Sequence, residues 1–116
     1  MTTNIELSVI LPTYNEAENI PILIPLLQKV LAKYNYEILV MDDNSPDGTY
    51  RIVEKMVRQD NRIRCVRRMA NRGLSQAVVE GFSVAQGDAM LVMDADMQHD
   101  EAAIPQFIEH FRAGAD

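Results

Sequence analysis

Four short apolar runs, "LSVIL" (7–11), "YEILVM" (36–41), "IRCVR" (63–67) and "AMLVM" (89–93), alternate along the chain with segments of helical periodicity. This alternation leaves few folds open. Ile20, Leu23, Ile24, Leu27, Val30 and Leu31 recur at the spacing of one helix face, and so do Ile52, Val53, Met56 and Val57 in a helix starting at about Thr49. Ala77, Val78, Gly81, Phe82 and Ala85 form a third such face, and Ile104, Phe107, Ile108 and Phe111 a fourth. Pro25 is expected to kink the first helix. Repeated strand–helix units with apolar strands predict an α/β fold, a parallel Rossmann-like sheet of four βα units with helices on both faces. Right-handed crossovers place the carboxyl ends of all four strands on one rim, where ligands bind in such sheets.

The unusual residues fall at that rim. "PTYNE" follows the first strand, "DDNSPDG" the second, "ANRG" the third and "DADMQ" the fourth. Asp and Asn also terminate strands and cap helices, so the adjacent Asp42 and Asp43 decide nothing alone. The convergence of four polar clusters favours a ligand. Ser45-Pro46-Asp47-Gly48 reads as a turn, with Pro fixing φ and Gly free to take positive φ.

In "DADMQHD", Asp94, Asp96 and Gln98 share one side of an extended backbone. Two carboxylates and an amide oxygen are a hard ligand set suited to Mg²⁺ or Mn²⁺, an ion that takes phosphate oxygens from a substrate. His99 reads as a loop residue and Asp100 as a helix cap. The chain has no G-x-G-x-x-G after the first strand and no P-loop. A nucleotide would instead meet the Tyr14 ring, with Glu16 toward ribose hydroxyls and Asp43 accepting from a base edge.

Among 116 residues no apolar run reaches 18, and the N-terminus lacks the pattern of a signal peptide. Cys65 is the single cysteine and is expected to be buried and inert. The net charge of −6 argues against nucleic acid as a partner. Six arginines crowd between 58 and 72, either as a solvated surface or as a patch facing phosphates or an anionic membrane.

Taken in order, "SVILPTYNEAENI", "ILVMDDNSPDGT", "NRGLSQAVVEGF" and "MLVMDADMQHD" resemble family 2 glycosyltransferases of GT-A fold, in the branch of dolichol-phosphate mannose synthases and related polyprenyl-phosphate glycosyltransferases. The resemblance implies that Pro12, Tyr14, Glu16 and Asp43 contact the nucleoside. It implies that Asp94, Asp96 and Gln98 hold the metal against the diphosphate, with Asp96 as the catalytic residue. The implied reaction is metal-dependent transfer of a sugar, with inversion, from a nucleotide sugar to a polyprenyl phosphate. GDP-mannose is the favoured donor and a UDP-sugar the alternative. Peripheral association with the cytoplasmic face of a membrane is expected. A complete domain of this family is about twice as long, so residues 1–116 correspond to its N-terminal, nucleotide-sugar-binding half, and the fourth strand is expected to present an apolar edge. A receiver domain would need its acidic pair after the first strand and a Lys after a fifth, and a dehalogenase-type phosphatase its Asp-x-Asp after the first. A non-catalytic nucleotide-binding module stays open as the second reading.

Overall fold

The computed structural model describes residues 5–70, 72–93 and 95. Four strands and three helices alternate: β1 (Leu7–Thr13), α1 (Ile20–Val30), β2 (Tyr36–Asp42), α2 (Thr49–Gln59), β3 (Ile63–Arg67), α3 (Leu74–Val84) and β4 (Ala89–Val92). The expected helix around Ile104–Phe111, together with His99 and Asp100, lies outside the described residues.

All strand pairs are parallel and the order is β3-β2-β1-β4. The chain winds from β1 outward to β3, then crosses back to place β4 on the other side of β1. That reversal puts the topological switch point between β1 and β4.

Alternation of side chains assigns the two faces. Leu7, Val9 and Leu11 of β1 join Ile38 and Val40 of β2 under α1 and α2, in a cluster with Ile20, Leu23, Leu27 and Val53. On the other face Ile10, Leu39 and Met41 pack with Ala77 of α3. The doubly wound arrangement predicted from periodicity is therefore present.

Two local expectations change. First, β1 continues through Pro12 to Thr13. The Ile10 carbonyl accepts from Met93 N and the Thr13 carbonyl from Asp43 N, so Pro12 points its backbone toward the β4 side. Pairing with β4 ends at Ile10↔Val92, so no ladder bond requires the N–H that proline lacks. Second, Phe82 is 45% exposed, not packed. A Cβ on Gly81 would sit 2.7 Å from Ile10 Cγ2, so α3 lies against the sheet along the Ala77–Gly81 line. Phe82 is one helical step, about 100°, off that line.

The end of the sheet opposite the rim is held by a buried carboxylate. Glu37 is 3% exposed. Its Oε2 accepts from Ser8 Oγ at 2.5 Å and Gln86 N at 2.6 Å, and its Oε1 from Arg64 Nε and Nη2 at 3.1 and 2.8 Å. These bonds join β1, β2, β3 and the α3–β4 connection. No described helix is long and apolar enough to cross a membrane.

Candidate functional site

At the rim, beyond the carboxyl ends of β1 and β2, a cavity of about 100 Å³ is lined by Pro12, Thr13, Tyr14, Asp43, Leu74 and Ala77. Three of the four residues expected to meet a nucleoside thus meet at one cavity. The fourth, Glu16, is half-buried on the same loop as Tyr14, and its Oε1 accepts from Asn19 Nδ2 at 3.0 Å. A wider cleft of about 760 Å³ lies along the turn that leads into α2, lined by Asp47, Tyr50, Arg51 and Arg67 among others. The smaller cavity is the candidate site because β1, β2 and α3 all converge on it beside the switch point.

The two adjacent aspartates have separate work. Asp42 is fully buried. Its Oδ1 accepts from Thr13 Oγ1 at 2.7 Å and Ser45 Oγ at 2.6 Å, and its Oδ2 from Ser45 N at 3.0 Å. Asp43 lines the cavity. Its Oδ1 accepts from Arg68 Nη1 and its Oδ2 from Gly73 N at 2.7 Å. Each carboxylate oxygen has two acceptor positions, so Asp43 retains capacity for donors on a base edge.

Arg68 was not singled out by the sequence, yet it is 3% exposed and bridges Asp43 to Glu80 of α3 (Nε to Oε1, 2.9 Å). Burial pulls its pKa down, and the hydrogen bonds and charges of Glu80 and Asp43 outweigh that and raise it, so the guanidinium stays charged. Arg72 stands over the Tyr14 ring, 5.3 Å from its centroid. The remaining arginines are likewise engaged within the chain. Arg58 pairs with Glu54, Arg62 covers Tyr36, Arg64 holds Glu37, and Arg67 bonds Asn44 and covers Tyr50. Arg58, Arg62, Arg67 and Arg72 remain exposed while making these contacts, whereas Arg68 is buried. Cys65, expected to be buried, is only partly so; burial, then the negative charges of Asp42 and Glu54, push its thiol up to about 12, which disfavours the reactive thiolate.

The turn after β2 takes the predicted form, with Gly48 at φ 91° and α2 beginning at Thr49. What the sequence did not disclose is how its side chains are spent. Asn15 N donates to Ser45 Oγ at 2.9 Å, Glu16 N to Thr49 Oγ1 at 3.1 Å, and Ala17 N to Asp47 Oδ2 at 3.0 Å. The series Ser45-x-Asp47-x-Thr49, an oxygen at every second position, was the available signal.

Slight burial pushes the Asp47 carboxyl up, but hydrogen bonds from Thr49 Oγ1, Ala17 N and Thr49 N outweigh it and hold the group below 3.8. A depressed folded-state pKa stabilises above the unfolded value and ceases to do so as pH falls through the folded one. Below pH 3.8 the stability contributed by Asp47 is therefore expected to fade. Urea midpoints measured from pH 5 down to about pH 2 should fall less steeply in Asp47→Asn than in the unmodified chain.

Asp94, Asp96 and Gln98 lie outside the described residues. β4 leads the chain to the rim beside β1, through Met93 N bonded to the Ile10 carbonyl, one residue before Asp94. Among the described residues no group of three or more His, Cys, Asp or Glu could hold a metal.

Comparison with known proteins agrees with this geometry. The glycosyl transferase family 2 profile matches residues 8–116. A dolichol-phosphate mannosyltransferase of Pyrococcus furiosus is 43% identical over 111 residues, covering 96% of this chain and 31% of that protein. A dolichol-phosphate mannosyltransferase of Mycosarcoma maydis is 38% identical over 107 residues, covering 87% and 36%. The chain thus spans about a third of the length of the curated relatives it matches. Among solved structures, the mannosyltransferase PcManGT from Pyrobaculum calidifontis in complex with GDP-Man and Mn²⁺ superposes with a TM-score of 0.68 at 26% identity, over 99% of this chain and 34% of that one. S. aureus TarS 1-349 in complex with UDP-GlcNAc gives 0.70 at 27%, over 94% and 32%. With the profile spanning nearly the whole chain and the sheet built as expected, the protein belongs to glycosyl transferase family 2.

Proposed function

We propose that residues 1–116 are the nucleotide-sugar-binding part of a metal-dependent glycosyltransferase that moves mannose from GDP-mannose, with inversion, to a polyprenyl phosphate. The observation that carries this reading is the rim cavity that gathers Pro12, Tyr14 and Asp43. The identity to dolichol-phosphate mannosyltransferases and the likeness to a structure holding GDP-Man and Mn²⁺ support the donor and acceptor classes. A UDP-sugar donor is the second reading, favoured by the likeness to a structure holding UDP-GlcNAc.

In this reading Asp43 accepts from the base edge, the Tyr14 ring packs on the nucleoside, and Glu16 accepts from the ribose. Asp94, Asp96 and Gln98 would hold Mg²⁺ or Mn²⁺, which when bound stabilises negative charge on the departing diphosphate as a Lewis acid. The acceptor phosphate is already anionic near neutral pH, so attack needs no strong base from the chain. A polyprenyl acceptor places the whole enzyme at a membrane surface, on the cytoplasmic side, where the nucleotide sugar is available.

Two carboxylates and an amide leave a divalent ion incompletely coordinated. Calorimetry is expected to show Mn²⁺ binding weakly alone and at least about tenfold more tightly with GDP, a linkage of about 1.4 kcal/mol. Asp96→Asn should remove that linkage. Tight Mn²⁺ binding without nucleotide, or an unchanged linkage in the variant, would count against the site. Stronger linkage with UDP than with GDP would select the second reading.

A further inference from the structure

The loop that carries Tyr14 and Glu16 is not a regular element. Asn15 adopts φ 58°, a left-handed conformation that Asn tolerates better than most residues, and the chain reverses there. Three consecutive backbone N–H groups of this loop, those of Asn15, Glu16 and Ala17, each donate to a different side chain of the segment after β2: Ser45, Thr49 and Asp47.

Two of the three acceptors are themselves oriented. A hydroxyl has one proton to give and lone pairs to accept with. Ser45 Oγ gives its proton to buried Asp42 at 2.6 Å, and Thr49 Oγ1 gives its own to Asp47 at 2.5 Å. A carboxylate behind each hydroxyl leaves only lone pairs facing the loop. Thr49 is fully buried and Ser45 nearly so, at 8% exposure, so water does not readily replace either acceptor.

We infer that Ser45, Asp47 and Thr49, with Asp42 acting through Ser45, are positioning residues: a three-rung clamp that fixes residues 14–17 in the conformation presenting Tyr14 and Glu16 to the nucleotide. The inference rests on the nucleotide reading given above. It assigns work to a turn that otherwise reads as chain reversal alone. None of the three need touch the ligand, so nucleotide affinity depends on side chains outside the cavity. Asn15 N–H, Glu16 N–H and Ala17 N–H would be free to exchange with solvent if the rungs opened.

The test compares Thr49→Val, which keeps the shape and removes the acceptor, with Thr49→Ser, which keeps the hydroxyl. Binding of GDP with Mn²⁺ is read by calorimetry, and amide exchange at residues 15–17 is read without nucleotide. Loss of one buried hydrogen bond predicts about five- to tenfold weaker GDP binding in Thr49→Val and faster exchange at Glu16. Thr49→Ser should return both to within about twofold of the unmodified chain. Faster exchange with unchanged GDP affinity would overturn the positioning role. Unchanged exchange in Thr49→Val would overturn the clamp itself. Absence of GDP binding by the unmodified chain would overturn the premise, and the exchange arm, which needs no nucleotide, tells that failure from failure of the clamp.

Discussion

Asp43→Ala is expected to lower stability by about 3 kcal/mol as well as to remove nucleotide binding, because it takes one carboxylate partner from a buried cation. Arg68 is 2% exposed at its side chain and divides its guanidinium between Asp43 and Glu80. Removing one partner of a buried pair typically costs about 3–5 kcal/mol, and the surviving contact to the more exposed Glu80 puts this case at the lower end. Gly73 N also loses its acceptor. Urea denaturation of three variants separates the causes. Asp43→Ala alone should fall by the full amount. Asp43→Ala with Arg68→Met should recover at least half, because the buried charge that lost a carboxylate is gone as well. Asp43→Asn should keep an oxygen for Arg68 but set its amide group against the Gly73 N–H, at a cost of about 1–2 kcal/mol. A loss below about 1 kcal/mol in Asp43→Ala would show that the pair is not holding the loop before α3. A binding defect in this variant is interpretable only for the folded fraction, so affinity and stability have to be measured together.

Glu37→Ala should be at least as destabilising, by about 3–5 kcal/mol, while leaving the candidate site untouched. One carboxylate there satisfies Ser8 Oγ, Gln86 N and two guanidinium nitrogens of Arg64. An alanine would leave the buried Ser8 hydroxyl and the Gln86 N–H without their acceptor. Against a typical total of about 5–15 kcal/mol for a small domain, such a loss places the chain near its threshold of stability. Arg64 is 38% exposed at its side chain and can turn to solvent, so most of the cost should come from Ser8 and the Gln86 backbone. Arg64→Met is accordingly expected to lose less than half as much. GDP affinity of the folded fraction should be unchanged in both variants, because Glu37 lies at the opposite end of the strands from the rim. A clear loss of affinity in Glu37→Ala at full folding would contradict that separation.

The contrast between these two carboxylates marks what could be read in advance. Glu37 interrupts the apolar run of β2, and nothing in its neighbours distinguishes a solvated strand residue from a buried anchor. Its meaning comes from Ser8 opposite it in register and from Gln86, 49 positions away. Asp43 was legible as a rim residue because an apolar run ends just before it. Its partner Arg68 stood in a crowd of arginines that looked like surface. Phe82 had the right spacing for the core and sits outside it, since the close approach of Gly81 to Ile10 chose which stripe of α3 meets the sheet.

The sequence by itself determined the four strands, the three described helices, their parallel winding and the rim where the clusters after β1 and β2 meet. Those follow from periodicity, since burying one face of a strand or helix imposes a pattern within a few residues. Only the tertiary structure decided which partners hold Asp42 and Asp43, that Arg68 is an internal cation, and that Ser45, Asp47 and Thr49 grip the loop after β1. Those outcomes depend on partners about 25–33 positions apart. Such partners meet through the register of β1 on β2 and the crossover that follows, and local pattern carries no record of either.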